Sequence, residues 1–447
     1  MFGSKFLGKT HVPHHKDTAC SVPVKMTSPS QILLPLSQSI GKPAVAVVKA
    51  GDEVKVGQVV GEADGRISAF VHSSVSGKVV GIENYVTPTG VNTLAVRIES
   101  DGLMTPFEGL TPPVVEDFDS FIEAVRVSGL VGLGGAGFPT AEKLNAARDG
   151  KIHTVVINGA ECEPYLTCDS TTMRNRSAFI GEGIALLEKF LVGVNEFVFG
   201  IENNKPECIA EMERIFAGNE KVRIVPLPVR YPQGAEKVTV YNTTGIVVPE
   251  GKYPSDVGVI VINVSTLATL AEYMKTGMPL VARCVTVDGA AIKNPMNVIT
   301  PIGALAREVI EFTGGFKEDV EVGKIICGGP MMGVCISNPD EPVIKLTNGL
   351  TVLTVEQSHA PEYTACIRCG RCVEACPLGL EPLAFTKALK LSTLEERIDA
   401  FEKHSLNLCM DCGCCSYVCP AHRPLVENNR LAKNVYRAHK ASLSQKK

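Results

Sequence analysis

The sequence predicts a multidomain α/β protein with a cysteine-rich C-terminal domain. Short β-rich runs separated by glycines occupy residues 40–82, strands alternate with helical stretches between residues 115 and 278, and two cysteine blocks of equal spacing follow. A chain of 447 residues has room for about three domains. Its 45% hydrophobic and 21% charged residues are typical of a packed, water-soluble protein and exclude a disordered chain.

Residues 40–105 predict a compact β-sandwich behind an N-terminal extension of residues 1–39, because short strands alternate with turn residues. This region resembles the lipoyl/biotinyl carrier domain. The G-D-x-V-x-x-G-Q signature lies at Gly51 to Gln58, and S-x-x-x-G lies at Ser73 to Gly77. Carriers have a modified lysine on the hairpin near Asp64, where this chain has Gly65. The resemblance therefore implies a structural version without a swinging arm.

Residues 115–278 predict a parallel α/β domain, since strands and helices alternate. Asp117 can cap a helix from Phe118 to Ser128, and Gly129 can end it. The predicted strands are Thr154 to Asn158, Phe197 to Ile201, Arg223 to Leu227 and Gly258 to Asn263. The helices lie near Ala178 to Leu191, Glu207 to Phe216 and Ser265 to Lys275.

Residues 279–345 predict a small β-grasp unit, and residues 355–440 a helical two-cluster domain. The first contains a strand from Arg283 to Val287, a helix from Ile302 to Phe312 and a strand from Lys324 to Cys327. Between the cysteine blocks, apolar spacing predicts one helix from Pro382 to Phe401. The second unit is thus more helical than a minimal ferredoxin.

The two blocks have the spacing C-x2-C-x2-C-x3-C-P, which is typical of two [4Fe–4S] clusters whose fourth cysteine crosses to the other cluster. We assign Cys366, Cys369, Cys372 and Cys419 to one cluster, and Cys409, Cys412, Cys415 and Cys376 to the other. Zinc is the alternative that paired C-x-x-C motifs allow, although zinc ligands come in pairs and not in triplets. Cys414 lies inside the second block but outside its spacing pattern. We expect it to be a small buried neighbour of the cluster; the alternative is that it replaces one of the predicted ligands.

The remaining cysteines are scattered and predict free thiols in a reducing compartment. The start of the chain has no apolar run of signal-peptide length, and no stretch reaches the roughly 18 apolar residues of a membrane span. We therefore expect a cytoplasmic protein. A net charge of −4 without a basic, aromatic-rich patch predicts no nucleic-acid partner. The basic tail from Arg430 to Lys447 predicts a solvated helical end, with contact to an acidic partner or membrane surface as the alternative.

A glycine-rich loop runs from Val131 to Thr140 and precedes a helix near Ala141. Glycines let backbone N–H groups approach a phosphate closely, and a helix N-terminus favours an anion. A plain turn is the alternative. The string Gly134 to Thr140 followed by Lys143 resembles the FMN and NADH loop of the flavoprotein subunit of respiratory complex I. Three further stretches resemble that subunit in the same order: Asn158 to Pro164, Tyr231 to Glu236 and Asn263 to Leu267.

The chain as a whole is similar to the C subunit of the Rnf complex, a membrane-linked ferredoxin:NAD oxidoreductase. His11 to Lys16 resembles that family's H-P-P-x-x-K opening, and the same domains follow in the same order. The resemblance implies an NADH-linked oxidoreductase subunit that uses FMN, NAD(H) and two [4Fe–4S] clusters. It also implies membrane-embedded Rnf subunits and a ferredoxin-like electron carrier as partners, and a peripheral place on the inner face of the cell membrane. The β-grasp unit would be the family's soluble-ligand-binding module.

The resemblance also implies roles for single residues. Around the flavin phosphate and nucleotide it places Gly134, Gly135, Gly137 and Lys143. Along the flavin it places Asn158, Glu161, Gly234, Glu236, Asn263 and Thr266. Phe138 and Glu163 would face the nicotinamide nucleotide. The alternatives are a helix cap for Asn263 and Thr266, and a solvated loop for the two glutamates.

Some residues depart from the two families. Complex I has acids where this chain has Ala160 and Ala235 and an arginine near Leu133, and many Rnf C subunits have threonine where this chain has Gly137. Two other interpretations therefore stay open. One is a relay adaptor without nucleotide binding. The other is a paralogue that feeds an amino-acid reductase, such as proline reductase, or a cobalamin reductase.

Overall fold

The computed structural model describes residues 7–444. The first six residues of the predicted extension, and Lys446 and Lys447 of the basic tail, lie outside this range. Within residues 7–444, no helix combines the length and the apolar character needed to cross a bilayer.

Two antiparallel sheets form the N-terminal sandwich, ordered β2-β8-β7-β4 and β3-β5-β6. The strands up to residue 100 are β1 Val24–Lys25, β2 Gln31–Pro35, β3 Val45–Ala46, β4 Glu53–Val54, β5 Val59–Glu62, β6 Val71–His72, β7 Gly77–Val86 and β8 Asn92–Ser100. Strand β2 pairs with β8 along its whole length, so the sandwich begins upstream of residue 40, the boundary predicted from the sequence. Asp64 and Gly65 lie in the loop between β5 and β6, where Gly65 has φ of 86°.

The central domain is a four-stranded parallel sheet with helices packed on it, as predicted. Its elements are α1 Phe118–Val127, α2 Thr140–Asn145, β9 Thr154–Gly159, α3 Cys168–Asn175, α4 Ser177–Phe190, β10 Glu196–Glu202, α5 Pro206–Ile215, β11 Val222–Leu227, α6 Glu236–Thr244, β12 Val259–Asn263 and α7 Val264–Thr276. The strand order is β11-β10-β9-β12. Strands β10 and β11 thus lie on one side of β9, and β12, the last strand in the sequence, lies on the other side.

Capping residues fix the ends of these helices. Asp117 begins α1 with a capping box that it forms with Ser120. Asn263 begins α7 by accepting hydrogen bonds from two backbone N–H groups. Gly245 and Gly277 end α6 and α7 in the left-handed conformation, with φ of 76° and 75°. Side-chain caps and a left-handed glycine satisfy backbone groups that a helix end leaves unpaired.

The third unit is a six-stranded mixed sheet, ordered β1-β14-β13-β17-β15-β16. Its elements are β13 Ala282–Asp288, β14 Met296–Pro301, α8 Ala306–Phe312, β15 Val322–Cys327, β16 Val334–Ile336, β17 Gly349–Thr354 and α9 Val355–Ser358. The sheet takes strands from both sides of the predicted range 279–345, since β1 pairs with β14 and β17 pairs with β13 and β15. Helix α8 begins later than Ile302, because Gly303 has φ of 95° and its carbonyl accepts from Leu33.

The C-terminal unit is helical. Its elements are α10 Arg371–Glu374, α11 Pro382–Ala388, α12 Leu394–Lys403, α13 Cys414–Tyr417 and α14 Leu425–Ser444. The single helix predicted from Pro382 to Phe401 is wrong. Thr393 starts a new helix there, because its hydroxyl accepts from the backbone of Glu396 in a capping box. The apolar points of the sequence pattern therefore belong to two helices that pack around Phe385 and Phe401.

Lys345 joins three of the units. Its side chain is buried, and its ammonium donates to the carbonyl of Gly129 at 2.7 Å and to that of Phe70. These carbonyls belong to the central domain and the sandwich, while Lys345 lies in the segment before β17. Burial lowers the pKa of Lys345 to about 7. A buried amino group needs such acceptors whether or not it is protonated, so this contact links the three units.

Gly277 and Gly245 form a matched pair for testing how the central domain is joined to the sandwich. Both have the same backbone conformation, but a Cβ at Gly277 would collide with the carbonyl of Thr111, whereas a Cβ at Gly245 meets nothing within 4 Å. A left-handed alanine costs about 1 kcal/mol. We expect Gly277→Ala to lower the thermal unfolding midpoint clearly more than Gly245→Ala. Equal midpoints in the two variants would contradict the contact with Thr111.

Candidate functional site

The two cysteine loops have the same backbone shape. Arg368 and Gly370 in the first have φ of 56° and 78°, and Asp411 and Gly413 in the second have φ of 56° and 81°. A one-turn helix follows each loop, α10 in one and α13 in the other. A left-handed conformation is unfavourable for residues other than glycine. Its occurrence at the same position of both loops indicates that they are built to hold the same kind of group.

The structure brings the eight predicted thiols together in two sets of four. The first cavity, of about 470 Å³, is lined by Cys366, Cys369, Cys372 and Cys419. The second, smaller cavity is lined by Cys376, Cys409, Cys412 and Cys415. We call them the outer site and the inner site. Each combines three cysteines of one block with the fourth of the other, which is the crossed arrangement predicted from the spacing. Four thiols are the donor set of a [4Fe–4S] cluster, so the residues at both sites fit that group.

The inner site is more buried than the outer one. Cys366 and Cys369 are exposed, whereas Cys415 is buried. Burial raises the pKa of Cys409 to about 11, and it raises the pKa of Cys415 as well. The free thiols of Cys409 and Cys415 are therefore protonated at neutral pH. Because a metal ligand must be a thiolate, cluster assembly at this site has to release protons.

Two side chains of α14 contact the inner site. The sequence analysis did not identify them. Asn429 Nδ2 lies 3.6 Å from Cys409 Sγ. Lys433 is buried, donates to the carbonyl of Cys409 and pairs with Asp411 at 2.8 Å. The prediction that the basic tail is solvated is thus wrong for Lys433. Hydrogen bonds around cluster sulfurs tune the reduction potential, and only the fold reveals that these two residues lie there.

The inner site packs directly against the central domain. Cys414 is buried, as expected, and also lines the inner site. Its Sγ lies 3.9 Å from the carbonyl oxygen of Tyr231. Tyr231 and Cys162 of the central domain share one apolar cluster with Cys412 and Cys414. We call this cluster the junction.

The glycine loop of the central domain is open in its middle part. Gly134 and Gly135 are exposed, while Gly137 is buried, has φ of 70° and accepts at its carbonyl from the N–H of Ile40. A Cβ at Gly134 would lie 2.6 Å from Asn263 Nδ2, and a Cβ at Gly137 would collide with Leu346. The bare backbone at Gly134 thus leaves room that a side chain would fill.

The glycine loop lies at the topological switch point of the sheet, between β9 and β12, where the order of strand addition reverses. Asn158, one residue before the end of β9, and Asn263, the last residue of β12, are direct neighbours in the sheet. Asn158 Nδ2 donates to the carbonyl of Gly234 at 2.9 Å, and Thr266 Oγ1 accepts from the N–H of Leu133 at 2.9 Å. Ligands of open parallel sheets bind in the crevice at such a switch point. The residues present fit a flavin mononucleotide there.

Lys143 and Glu236 form an ion pair at 2.8 Å at the edge of this crevice. Lys143 Nζ also donates to the carbonyl of Val261 at 3.0 Å. The structure therefore brings Lys143 and Glu236, two of the predicted flavin contacts, together. Their charged groups bind each other. Phe138 is half-buried, and its carbonyl accepts from the N–H of Gly132.

Asn263 caps helix α7, which is the role that we gave as the alternative to a flavin contact. Its side chain also binds Asp169. Its Oδ1 accepts from the N–H groups of Ser265 and Thr266 at 2.9 and 3.2 Å, while its Nδ2 donates to Asp169 at 2.8 Å. Burial raises the pKa of Asp169 to about 6. Asp169, which the sequence did not reveal, thus fixes the orientation of the Asn263 amide beside the glycine loop.

The two predicted glutamates are not solvated. Glu161 accepts from the N–H of Asp169 at 2.6 Å and from the hydroxyl of Ser170 at 2.5 Å, and so holds the start of α3. Glu163 accepts from the N–H of Met331 at 3.1 Å and from the hydroxyl of Tyr231 at 3.4 Å. Burial raises the pKa of Glu163 to about 7. Glu163 therefore lies beside the junction.

A half-buried lysine and a buried one hold the loop that carries these glutamates. Lys16 Nζ donates to the carbonyls of Glu161 at 2.8 Å and Glu163 at 2.7 Å, and also to that of Leu166. Lys205 Nζ donates to the carbonyl of Ala160 at 2.8 Å. Burial lowers the pKa of Lys16. The N-terminal motif found in the sequence is thus part of the site, a role that only the fold reveals.

Comparison with family models matches four parts of the chain. An RnfC barrel sandwich hybrid domain covers residues 4–103, and a Nuo51 FMN-binding domain covers residues 125–272. An SLBB domain covers residues 284–334, and a 4Fe–4S dicluster domain covers residues 362–436. These matches confirm the predicted fold class and support FMN and two [4Fe–4S] clusters as cofactors.

Two curated relatives match most of the chain. The C subunit of the Na⁺-translocating ferredoxin:NAD⁺ oxidoreductase complex of Acetobacterium woodii is 42% identical over 85% of this chain and 86% of its own length. The C subunit of the proton-translocating ferredoxin:NAD⁺ oxidoreductase complex of Clostridium ljungdahlii is 41% identical over 84% of this chain and 82% of its own length. Among solved structures, the air-oxidized NAD⁺-reducing [NiFe]-hydrogenase matches with a TM-score of 0.48 and 18% identity, over 70% of this chain and 60% of that one.

Crossed ligation predicts which pairs of cysteines belong to one cluster. We expect the double variant Cys366→Ala/Cys419→Ala to lose the outer cluster alone and to keep about half of the iron, because both thiols line one cavity. The matched variant Cys366→Ala/Cys376→Ala should lose both clusters. Iron content and EPR of the reconstituted proteins measure this. Ligation within each block predicts the opposite outcome for the two variants.

Proposed function

The chain belongs to the family of the C subunits of ion-translocating ferredoxin:NAD⁺ oxidoreductase complexes, and on this basis we propose that it exchanges electrons between NAD(H) and a ferredoxin-like redox partner. FMN and two [4Fe–4S] clusters would connect the two. The observation that carries the proposal is the junction, at which the inner site packs against Tyr231 and Cys162 of the FMN-binding domain.

The chemistry requires a group that converts two-electron into one-electron transfer. Bound FMN would supply this conversion, since a flavin can exchange two electrons with NAD(H) and single electrons with iron–sulfur clusters. The protein orients the groups and excludes water. The glycine loop and the two asparagines at the switch point would hold the flavin, while the buried junction would separate it from the inner site by protein alone.

The junction sets the order of the sites. The inner site contacts the FMN-binding domain through Cys412 and Cys414, whereas Cys366 and Cys369 of the outer site are exposed. We infer that electrons pass from the flavin crevice to the inner site and then to the outer site, or in reverse. Glu163, whose pKa burial raises to about 7, can hold or release a proton at its carboxyl oxygens beside this path.

The nucleotide contacts are part of the proposal. Phe138 and Glu163 would face the nicotinamide nucleotide, and Gly135 lies open for the phosphates. Glu161 would affect flavin binding indirectly, by fixing the loop between β9 and α3, because its carboxylate accepts from the N–H of Asp169 at the start of α3.

A relay adaptor without nucleotide binding is the second candidate. Lys143 is bound to Glu236, and the positions where complex I has acids are Ala160 and Ala235 in this chain. A paralogue that feeds an amino-acid reductase or a cobalamin reductase would use the same path with another partner. For all of these we propose a cytoplasmic place, with attachment to the inner face of the membrane through partner subunits.

Anaerobic reduction by NADH tests the proposed function. With FMN and both clusters reconstituted, NADH should bleach the flavin absorbance and produce the EPR signals of both reduced clusters. NADPH at the same concentration tests whether the protein distinguishes the two nucleotides. Reduction by dithionite but not by NADH would contradict the NADH-linked function and favour the adaptor.

The flavin crevice can be tested at two neighbouring glycines. Gly134→Ala places a methyl group against Asn263 Nδ2, whereas the nearest atom to a Cβ at Gly132 is 3.7 Å away. We expect Gly134→Ala to weaken FMN binding about tenfold or more, which corresponds to about 1.4 kcal/mol. Gly132→Ala should bind FMN as the parent chain does. Titration of apoprotein with FMN, followed by flavin fluorescence, measures both. Equal affinities would place the flavin elsewhere.

A further inference from the structure

A short loop of the third unit reaches into the junction. Residues 328–333 join β15 to β16 and have the sequence Gly-Gly-Pro-Met-Met-Gly. The side chain of Met331 packs against the junction, which contains residues of the FMN-binding domain and of the cysteine loops. We call residues 328–333 the bridge loop.

The bridge loop contacts the flavin side of the junction through Glu163. The N–H of Met331 donates to Glu163 Oε2 at 3.1 Å. Burial raises the pKa of Glu163 to about 7, and the N–H groups of Met331 and Met332 act in the opposite direction. A Cβ at Gly329 would lie 2.4 Å from Glu163 Oε2 and 2.9 Å from Glu163 Cβ. The glycine at position 329 therefore leaves room that a side chain would take from Glu163.

On its other side the bridge loop contacts the cysteine loop of the inner site. Gly413 lies between Cys412 and Cys414 in the sequence. A Cβ at Gly413 would be 3.0 Å from the carbonyl oxygen of Met331 and 3.7 Å from Met331 Cε. Met331 thus binds Glu163 through its N–H and lies against Gly413 through its carbonyl and side chain. A single residue of the third unit links the FMN-binding domain to the cysteine loop.

The base of the bridge loop is fixed to the sheet of the third unit. The N–H of Gly328 donates to the carbonyl of Gly349 at 2.7 Å, and Thr351 Oγ1 donates to the carbonyl of Gly328 at 2.8 Å. Within the loop, the N–H of Gly333 donates to the carbonyl of Gly329 at 2.8 Å. These hydrogen bonds give the loop a defined position, and a closely packed interior transmits that position to its neighbours.

We propose that the bridge loop is a positioning element for electron transfer, and that through Met331 it sets the separation between the flavin crevice and the inner site. This rests on the proposed function, whose step from flavin to cluster it concerns. The rate of electron transfer falls steeply as the distance between the two groups grows. The third unit thereby acquires a role in the reaction that requires no ligand of its own.

The test measures the transfer step itself and does not depend on NADH. In the complete, reconstituted protein, a laser flash on deazariboflavin, with EDTA as the electron donor, reduces the bound FMN. Absorbance then follows the electron from FMN to the clusters. We expect Met331→Ala to lower the first-order rate constant of this transfer about tenfold, because a displacement of about 1 Å can cost a positioned reaction about 100-fold.

The neighbouring methionine supplies a matched control. Met332 is 45% exposed, and Met332→Ala makes the same truncation outside the junction. It should leave the rate constant unchanged. The reduction potentials of both clusters and the affinity for FMN should equal those of the parent chain in both variants. Equal potentials and equal FMN affinity separate positioning from a change in driving force or a loss of cofactor.

A second variant acts on the opposite face of the bridge loop. Gly329→Ala places a methyl group against Glu163 and leaves the side chain of Met331 in place. We expect it to slow the flash-induced transfer in the same direction as Met331→Ala, since it displaces the loop from the flavin side.

Three results would overturn the proposal. The first is a rate constant in Met331→Ala equal to that of the parent chain. The second is an equal loss in Met332→Ala. The third is a slower transfer in Met331→Ala that a changed cluster potential accounts for. Failure of NADH reduction, together with flash-induced transfer that slows in Met331→Ala alone of the two methionine variants, would contradict the NADH-linked function and support this proposal.

Discussion

The crossed sharing of thiols between the two cysteine blocks is the constraint on which the arrangement depends. Because Cys376 lines the same cavity as the second block and Cys419 the same cavity as the first, the two loops lie together, and the helices α11, α12 and α14 pack beside them. Two equivalent loops then lie in unequal surroundings. One packs against the FMN-binding domain at the junction, and the other faces solvent. The proposed order of the two sites along the electron path rests on this inequality and not on any difference in ligand type.

The flavin side depends on a second constraint, which is the need to satisfy polar groups in a buried loop. The segment from Ala160 to Leu166 leaves several carbonyls inside the protein, and the ammonium groups of Lys16 and Lys205 bind them. A buried charge without such partners would be unfavourable. The N-terminal segment is thereby fixed to the site, and Glu163 is held between the FMN-binding domain and the loop at Met331.

Much of the fold could be predicted because its signals are local. The four parallel strands appear as β-branched runs, and Asp117 and Asn263 start helices in the way that their side chains favour. Pairings between distant parts of the sequence could not be predicted. Strand β1 is only two residues long, and its partner β14 lies some 270 residues later. The split between α11 and α12 was missed because the apolar pattern continues across the cap at Thr393.

The candidate site shows the same division. The cysteine spacing predicts a ligand set for each cluster, and the structure places the thiols of each set along one cavity. The family resemblance led to the glycine loop and the asparagines, which the structure brings together at the switch point. The surroundings of the inner site, Asn429 and Lys433, could not be predicted, because a helical pattern does not show which face packs against a distant loop.

Single cysteine variants test most directly whether the inner site is the electron partner of the flavin. Cys419→Ala removes an outer ligand and Cys376→Ala an inner one. Each reconstituted variant is mixed with NADH, and the EPR signal of its remaining cluster is followed in time. We expect the remaining cluster of Cys419→Ala to be reduced as fast as in the parent chain, and that of Cys376→Ala much more slowly. Fast reduction in Cys376→Ala with slow reduction in Cys419→Ala would contradict this order of the sites.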